Sequence, residues 1–246
     1  MYLVGDIGNT EVKICLVNPK FKITQKVILK TPLIKKKYIE KKIFSLGLKK
    51  HNINEALFSS VVPKAYKEIS IFLKSKKIFC NELKKLNLKN FLKISPNVVQ
   101  VGSDRIANAI SMIKKGKNYI IIDFGTATTF DVVNNYKYLG GVIAPGVNLS
   151  LKNLIDGASL IPVVNLKKIS KVVGKNTESA VRSGFYWGYT GLIDNMIKLI
   201  LKETKKKYKI ILTGGLSNLF KNSLGYKCIL DKDLTIKGLV KVLKKL

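Results

Sequence analysis

Two short stretches hold residues whose types and spacing can handle phosphate. Asp6-Ile7-Gly8-Asn9-Thr10 follows an apolar run at residues 2–4. Asp123-Phe124-Gly125-Thr126-Ala127-Thr128-Thr129 follows a longer apolar run at 119–122. In each, glycine lets the chain turn sharply and brings backbone N–H groups close to a ligand. N–H groups lining such a turn make an anion cradle, to which Asn9 and Thr10 add side-chain donors. Asp6, at a strand end, can hold a hydrated cation, and Lys13 on the following strand can neutralise phosphate oxygens. Asp123, Thr126, Thr128 and Thr129 repeat the arrangement. One D-x-G-x-T is an ordinary β-turn as readily as a site. Two copies, each after a buried strand, suit a nucleoside triphosphate and its metal.

A third stretch, Gly102-Ser103-Asp104-Arg105, opens a helical pattern. On spacing alone, Ser103 or Asp104 reads as a helix N-cap. Arg105 is one of two arginines, with Arg182, among 45 basic residues. Its use where lysine is otherwise the rule points to a carboxylate or phosphoryl group held by a planar fork of donors. Other chemistries are poorly supplied. His51 is the single histidine and sits in a polar stretch read as a surface loop, so histidine metal clusters are excluded by count and triads would have to use it. Cys15, Cys80 and Cys228 are far apart and form no CxxC pair. That argues against a disulfide framework or a cysteine–zinc site and for a reducing, cytoplasmic setting.

The elements that must position these residues can be read from the apolar periodicity. The two aspartates stand nearly half a chain apart, each after one β-rich run and before another, at 12–17 and 129–133. Strands are expected at 21–29, 56–62, 136–143 and 210–213, and helices at 38–48, 65–74, 103–113, around 149–154, and at 177–202 and 233–246. This is an α/β pattern with mixed sheets and an internal duplication. The halves are expected at residues 1–116 and 117–246. Gly184, Gly188 and Gly191 share one face of the long helix, and their cost to helix stability predicts close packing there, against either the sheet of the same subunit or a partner.

The chain is 246 residues long with a net charge of +30, which would suit nucleic acid. The charge is almost all lysine, spread along the whole chain alongside abundant Ile and Asn. It reads as a solvated coat with no specific nucleic-acid partner. No apolar run reaches the roughly 18 residues of a membrane span, and no signal-peptide pattern is visible.

The paired turns resemble those of the actin, sugar kinase and Hsp70 nucleotide-binding fold, and Thr213-Gly214-Gly215 after a strand resembles that group's adenosine-contact loop. The closer resemblance is to type III pantothenate kinase. Its blocks appear in order as Asp6 to Thr10, Gly102 to Arg105, Asp123 to Thr129, Gly140-Gly141 with Pro145-Gly146, Thr177 with Ser183-Gly184, and Thr213 to Gly215. The resemblance implies two duplicated ribonuclease H-like (actin-like ATPase) domains, mixed sheets flanked by helices, with a cleft between them. It implies ATP, Mg2+, a monovalent cation (K+ or NH4+), pantothenate as acceptor, and a homodimer. It implies that Asp104 accepts the proton of pantothenate's primary hydroxyl, for which a carboxylate of ordinary pKa suffices. It further implies that Asp123 holds the monovalent cation. Asp6, Gly8, Asn9, Thr10, Lys13, Thr126, Thr128, Gly214 and Gly215 contact ATP, and Gly102, Ser103, Arg105 and Thr177 contact pantothenate. Thr177 also reads as a helix N-cap. The family carries an aromatic upstream of G-x-D-R; here Phe91 is the candidate, in a stretch without tyrosine. Alternatives are another small-molecule kinase of this fold, a non-catalytic actin-like protein, and a nucleic-acid binder.

Overall fold

A computed structural model of the chain describes residues 1–47, 52–53 and 55–246, so the expected loop at His51 and the end of the helix expected at 38–48 lie outside the described residues. The chain divides into two compact units. The first comprises residues 1–114, 136–138 and 233–246; the second comprises 115–135 and 139–232.

In the first unit, β1 (Tyr2–Ile7), β2 (Glu11–Val17) and β3 (Ile23–Lys30) form an antiparallel meander. Helix α1 (Lys36–Phe44) leads to β4 (Glu55–Ser60), and α2 (Pro63–Ser75) to β5 (Phe79–Glu82). Both strands run parallel to β1, giving the order β3-β2-β1-β4-β5. Pro63 begins α2, where its missing N–H removes no helical bond. Leu3, Ile7, Ile14, Leu16, Ala56 and Phe58 turn to the face covered by α1 and α2 through Ile39, Ile43, Ile69 and Phe72. Strand alternation sends Val4, Asp6 and Cys15 to the other face. A two-residue strand β6 (Lys93–Ile94) pairs with Lys137 and Tyr138, and α3 (Ser103–Met112) closes this stretch.

The second unit repeats the plan. Strand β7 (Asn118–Phe124) pairs antiparallel with β8 (Ala127–Asn134), and β9 (Lys137–Pro145) follows. Helices α4 (Val147–Gly157) and α5 (Thr177–Thr204) precede β10 (Lys209–Gly214), which runs parallel to β7. After the short α6 (Ser217–Phe220), β11 (Cys228–Leu230) extends the sheet, giving β9-β8-β7-β10-β11. That is the order of the first sheet, as a duplication requires. Its core gathers Ile120, Ile122, Phe130, Tyr186, Ile193, Ile210 and Phe220.

The terminal helix α7 (Leu234–Leu243) corrects the expected division at 116/117, because it returns to the first unit. It packs on α3, β1 and β4, on the face bearing Val4 and Cys15. Gly238 comes so close to the Ala107 carbonyl that no Cβ would fit, and the buried Thr235 hydroxyl donates to Asn108 Oδ1 at 2.8 Å. Segregation by sequence order fails here because α3 has an apolar face that nothing local can bury.

The glycine face of α5 bears on the two alternatives expected of it. A Cβ at Gly184, Gly188 or Gly191 would meet nothing within 4 Å among the described residues, so these glycines are not packed against their own sheet.

Candidate active site

In the first unit the turn between β1 and β2 is closed by Gly8 N–H donating to Glu11 O at 3.0 Å. Thr31, at the end of β3, braces it: its hydroxyl donates to Gly8 O at 2.7 Å and its N–H to Thr10 O at 2.9 Å. Asn9 and Thr10 are left exposed at the tip. The register puts Lys13 and Ser59 on either side of Asp6, all on one sheet face. Ser59, fully buried, donates to Asp6 Oδ1 at 2.8 Å and so orients the carboxylate. Lys13 is 3.7 Å from Asp233 Oδ1, which Lys26 also reaches at 2.5 Å. Partial burial works against ionisation of Asp233, but the Lys26 and Lys13 ammonium groups prevail and hold its carboxyl below the usual range.

The G-S-D-R stretch stands beside this turn. Val61 N–H donates to Ile7 O at 3.0 Å, and a Cβ on Gly102 would lie 3.6 Å from Val61 Cγ1. The Asp104 carboxylate lies over Gly102 in the space a side chain would fill. Gly102 occupies the N-cap position and no side-chain cap bond forms there, so neither Ser103 nor Asp104 is the cap. Asp104 Oδ1 instead accepts the N–H of Arg105 at 2.8 Å. Desolvation raises the Asp104 pKa; the Arg105 N–H and charge and the Lys84 charge pull against this without cancelling it. The carboxyl is therefore more basic than the ordinary one expected. Ser103 is 1% exposed and its hydroxyl donates to Glu82 Oε1 at 2.6 Å. Expected at the substrate, it has its side chain engaged inside the fold, leaving only its backbone for a ligand. Arg105 is half-buried, with one terminal guanidinium nitrogen shielded from solvent.

In the second unit the turn is one residue tighter, with Gly125 N–H donating to Ala127 O at 3.0 Å. Asp123 therefore pairs across the hairpin with Thr129, as Asp6 pairs with Lys13, while Thr128 pairs with the buried Phe124. Thr128 is 0% exposed and its hydroxyl is enclosed. The direct ATP contact expected of it is thus corrected: alternation turns it into the core, and Thr129 shares the Asp123 face. Gly125 and Thr126 are exposed at the tip. The Thr126 carbonyl presses on Gly146, which precedes α4. Gly214, at φ +85°, lies against Asp123 and Phe124, and Gly215 N–H donates to Phe124 O at 3.1 Å. The T-G-G stretch and the second D-x-G turn are therefore one structure.

A family model described as type III pantothenate kinase matches residues 2–199. The chain belongs to the type III pantothenate kinase family. A curated type III pantothenate kinase of Pelagibacter ubique is 59% identical, with 98% of each chain covered. Among solved structures, a conserved Baf family transcriptional activator from Campylobacter jejuni superposes with TM-score 0.62 at 22% identity, covering 99% of this chain and 98% of that one. A 2-dehydro-3-deoxygalactonokinase protein from Sinorhizobium meliloti superposes with TM-score 0.62 at 8% identity, covering 100% of this chain and 97% of that one. These two likenesses concern the fold, the actin-like, ribonuclease H-like arrangement of sugar kinases.

One further position of this pantothenate kinase family member differs from what the spacing suggested. Thr177 is the first residue of α5 and exposed; the cap is Asn176, whose side chain accepts Ser179 N–H at 2.9 Å while the Ser179 hydroxyl accepts the Asn176 N–H. Phe91 is half-buried with the Lys245 ammonium 5.8 Å from its ring centre. The supports Ser59, Thr31 and Glu82 were missed, because a serine or threonine at a strand end is common and carries no motif. The cysteines are free, and burial pushes each thiol up to about 11, which keeps them unreactive. Among the described residues, no helix is long and apolar enough to cross a membrane.

Proposed function

We propose that this chain transfers the γ-phosphoryl group of ATP to pantothenate, giving 4′-phosphopantothenate and ADP, the first step of coenzyme A biosynthesis, with Asp104 as the base. The observation that carries the assignment is the Asp104 carboxylate lying over Gly102 beside the first phosphate turn, in a chain of this family. The primary hydroxyl oxygen forms the new P–O bond, its proton passes to Asp104, and the bond from the γ-phosphorus to the bridging oxygen breaks. Phosphoryl transfer of this kind depends mainly on positioning and electrostatics. A raised pKa makes Asp104 a better proton acceptor once ionised.

In the first unit, Gly8, Asn9, Thr10 and Lys13 are assigned to nucleotide contact; in the second, Thr126, Gly214 and Gly215 carry that assignment. In the first unit, Gly102 and Arg105 are assigned to pantothenate, with Phe91 as the candidate aromatic wall; in the second, Thr177 carries that assignment. The donor sets fit hard cations, since carboxylate oxygens of Asp6 and Asp123 stand beside exposed turns. Among the described residues no three His, Cys, Asp or Glu side chains converge, so Mg2+ would take phosphate and water oxygens as its other ligands, as it commonly does. Asp6 would hold Mg2+ and Asp123 the potassium or ammonium ion; when bound, they offset phosphate charge.

Purified protein given ATP, Mg2+, potassium and pantothenate should make 4′-phosphopantothenate and slow markedly without potassium. Turnover of another acceptor but not pantothenate would refute the substrate. In Asp123→Asn, the response to potassium should weaken before the fold is affected. An unchanged potassium-activation curve would put the cation elsewhere.

The enzyme acts in the cytoplasm as a homodimer without specific nucleic-acid affinity. Support for pairing comes from the second unit, where Leu160 is 91% exposed and Val163, Val173 and Ile143 are also open, as is the glycine face of α5. Apolar side chains this exposed would be buried if they formed part of a pairing surface. Light scattering should give twice the 27.5 kDa chain mass; a monomer would refute pairing.

A further inference from the structure

Asp104 reaches its place through a support built from a distant turn. At the end of β5, the Glu82 carboxylate accepts two bonds, from the Ser103 hydroxyl at 2.6 Å and from Lys84 N–H at 2.8 Å. The Lys84 ammonium then donates to the carbonyls of Val99 and Val101, at 2.9 and 3.0 Å. Val101 and Ser103 flank Gly102, over which the Asp104 carboxylate lies. One turn thus grips the chain on both sides of Gly102. Ser103 is buried and α3 begins there without a side-chain cap, so these bonds do the locating a cap would otherwise do.

We propose that Glu82 and Lys84 are positioning residues for the reaction: together they fix where the Asp104 carboxylate stands relative to the first phosphate turn. This rests on the assignment of Asp104 as the base. The grip is charge-assisted at both ends, which makes its bonds stronger than neutral ones. Its geometry matters because a misplacement of about 1 Å can cost roughly a hundredfold in rate. Lys84 has a second effect. The charged groups that act on Asp104 are Arg105, on its own helix, and Lys84, from the turn after β5; both favour the ionised carboxylate against desolvation.

The experiment compares kcat, KM for each substrate and the pH profile in Glu82→Gln, Lys84→Met, Lys84→Arg and Asp104→Asn, with melting temperature measured for each. Glu82→Gln should lower kcat about ten- to a hundredfold with KM for ATP little changed. In Lys84→Met the acid limb of the profile should move to higher pH, because a charge that lowered the Asp104 pKa is gone. Lys84→Arg keeps the charge and should return the limb to its wild-type position. A merely structural clamp would lower the rate at every pH without moving the limb. The inference is overturned if Glu82→Gln keeps wild-type kcat, or if the limb stays in place in Lys84→Met. Should Lys84→Met fail to fold, Glu82→Gln alone decides. If Asp104→Asn itself keeps its rate, the assignment of the base is what fails; if it collapses while the other variants are unaffected, only the support is refuted.

Discussion

Asp104→Asn should lose about 10²–10⁴-fold in turnover, the range for removing an acid–base group, while still binding ATP. Asn keeps the size of the side chain and an oxygen that can accept the Arg105 N–H, as Asp104 Oδ1 does at 2.8 Å. The fold should not suffer. The pKa of Asp104 is raised in the folded chain because the charged form is desolvated. A group whose folded pKa exceeds its unfolded one contributes stability below the unfolded pKa, and this is lost as pH rises through the folded value. At neutral pH the ionised Asp104 is therefore a cost to the fold, and the amide removes it. The wild-type enzyme should lose kcat/KM on the acid side at a pH above the ordinary carboxylate value of 3.8. That limb should vanish from the residual activity of the variant. Near wild-type turnover, or an acid limb unchanged by the substitution, would retire Asp104 as the base.

Gly214→Ala should strongly destabilise the second unit. Gly214 has φ +85°, a conformation that costs an L-residue about 1–2 kcal/mol. A Cβ there would also stand 2.5 Å from Asp123 Oδ1 and 2.6 Å from the N and O of Phe124. Two of those atoms are backbone in the centre of the sheet and cannot swing aside, so overpacking adds about 1–3 kcal/mol. The sum, about 2–5 kcal/mol, lowers the melting temperature by roughly 4–20 °C in a chain of this size. Because the displaced oxygen belongs to Asp123, the potassium response should change as well. Gly215→Ala is the control: its Cβ would meet nothing within 4 Å, and its melting temperature should match wild type. Equal melting curves for Gly214→Ala and wild type would mean the Asp123–Gly214 contact is looser than described.

The comparison of the two hairpins separates what local sequence encodes from what it does not. Apolar runs ending in D-x-G are legible because burial and turn chemistry act within a few residues, and both strands and both turns form where those runs predict. The duplication follows from the same signal, as does the nomination of Asp104 and Arg105 by a compact motif. Which threonine faces the second site is not legible, because one residue fewer in the turn reverses the alternation, putting Thr129 beside Asp123 and Thr128 in the core. Turn length is settled by how the strands pair, and pairing is a tertiary event. The short edge strands Phe79–Glu82 and Cys228–Leu230 escape for a related reason: four and three residues are too few to show a periodicity, and the parallel neighbour supplies the bonds that make them strands.

The remaining surprises are contacts between residues far apart in the chain. Glu82 meets Ser103, Ser59 meets Asp6, and Thr235 meets Asn108 across 127 positions. The sequence by itself determined the two D-x-G turns and the duplicated α/β plan, and it nominated the candidate base. Tertiary structure decided that the terminal helix belongs to the first unit, that the Ser103 hydroxyl is engaged by Glu82, and that burial raises the pKa of Asp104. Each of those depends on desolvation or close approach, which arise only when distant segments pack together.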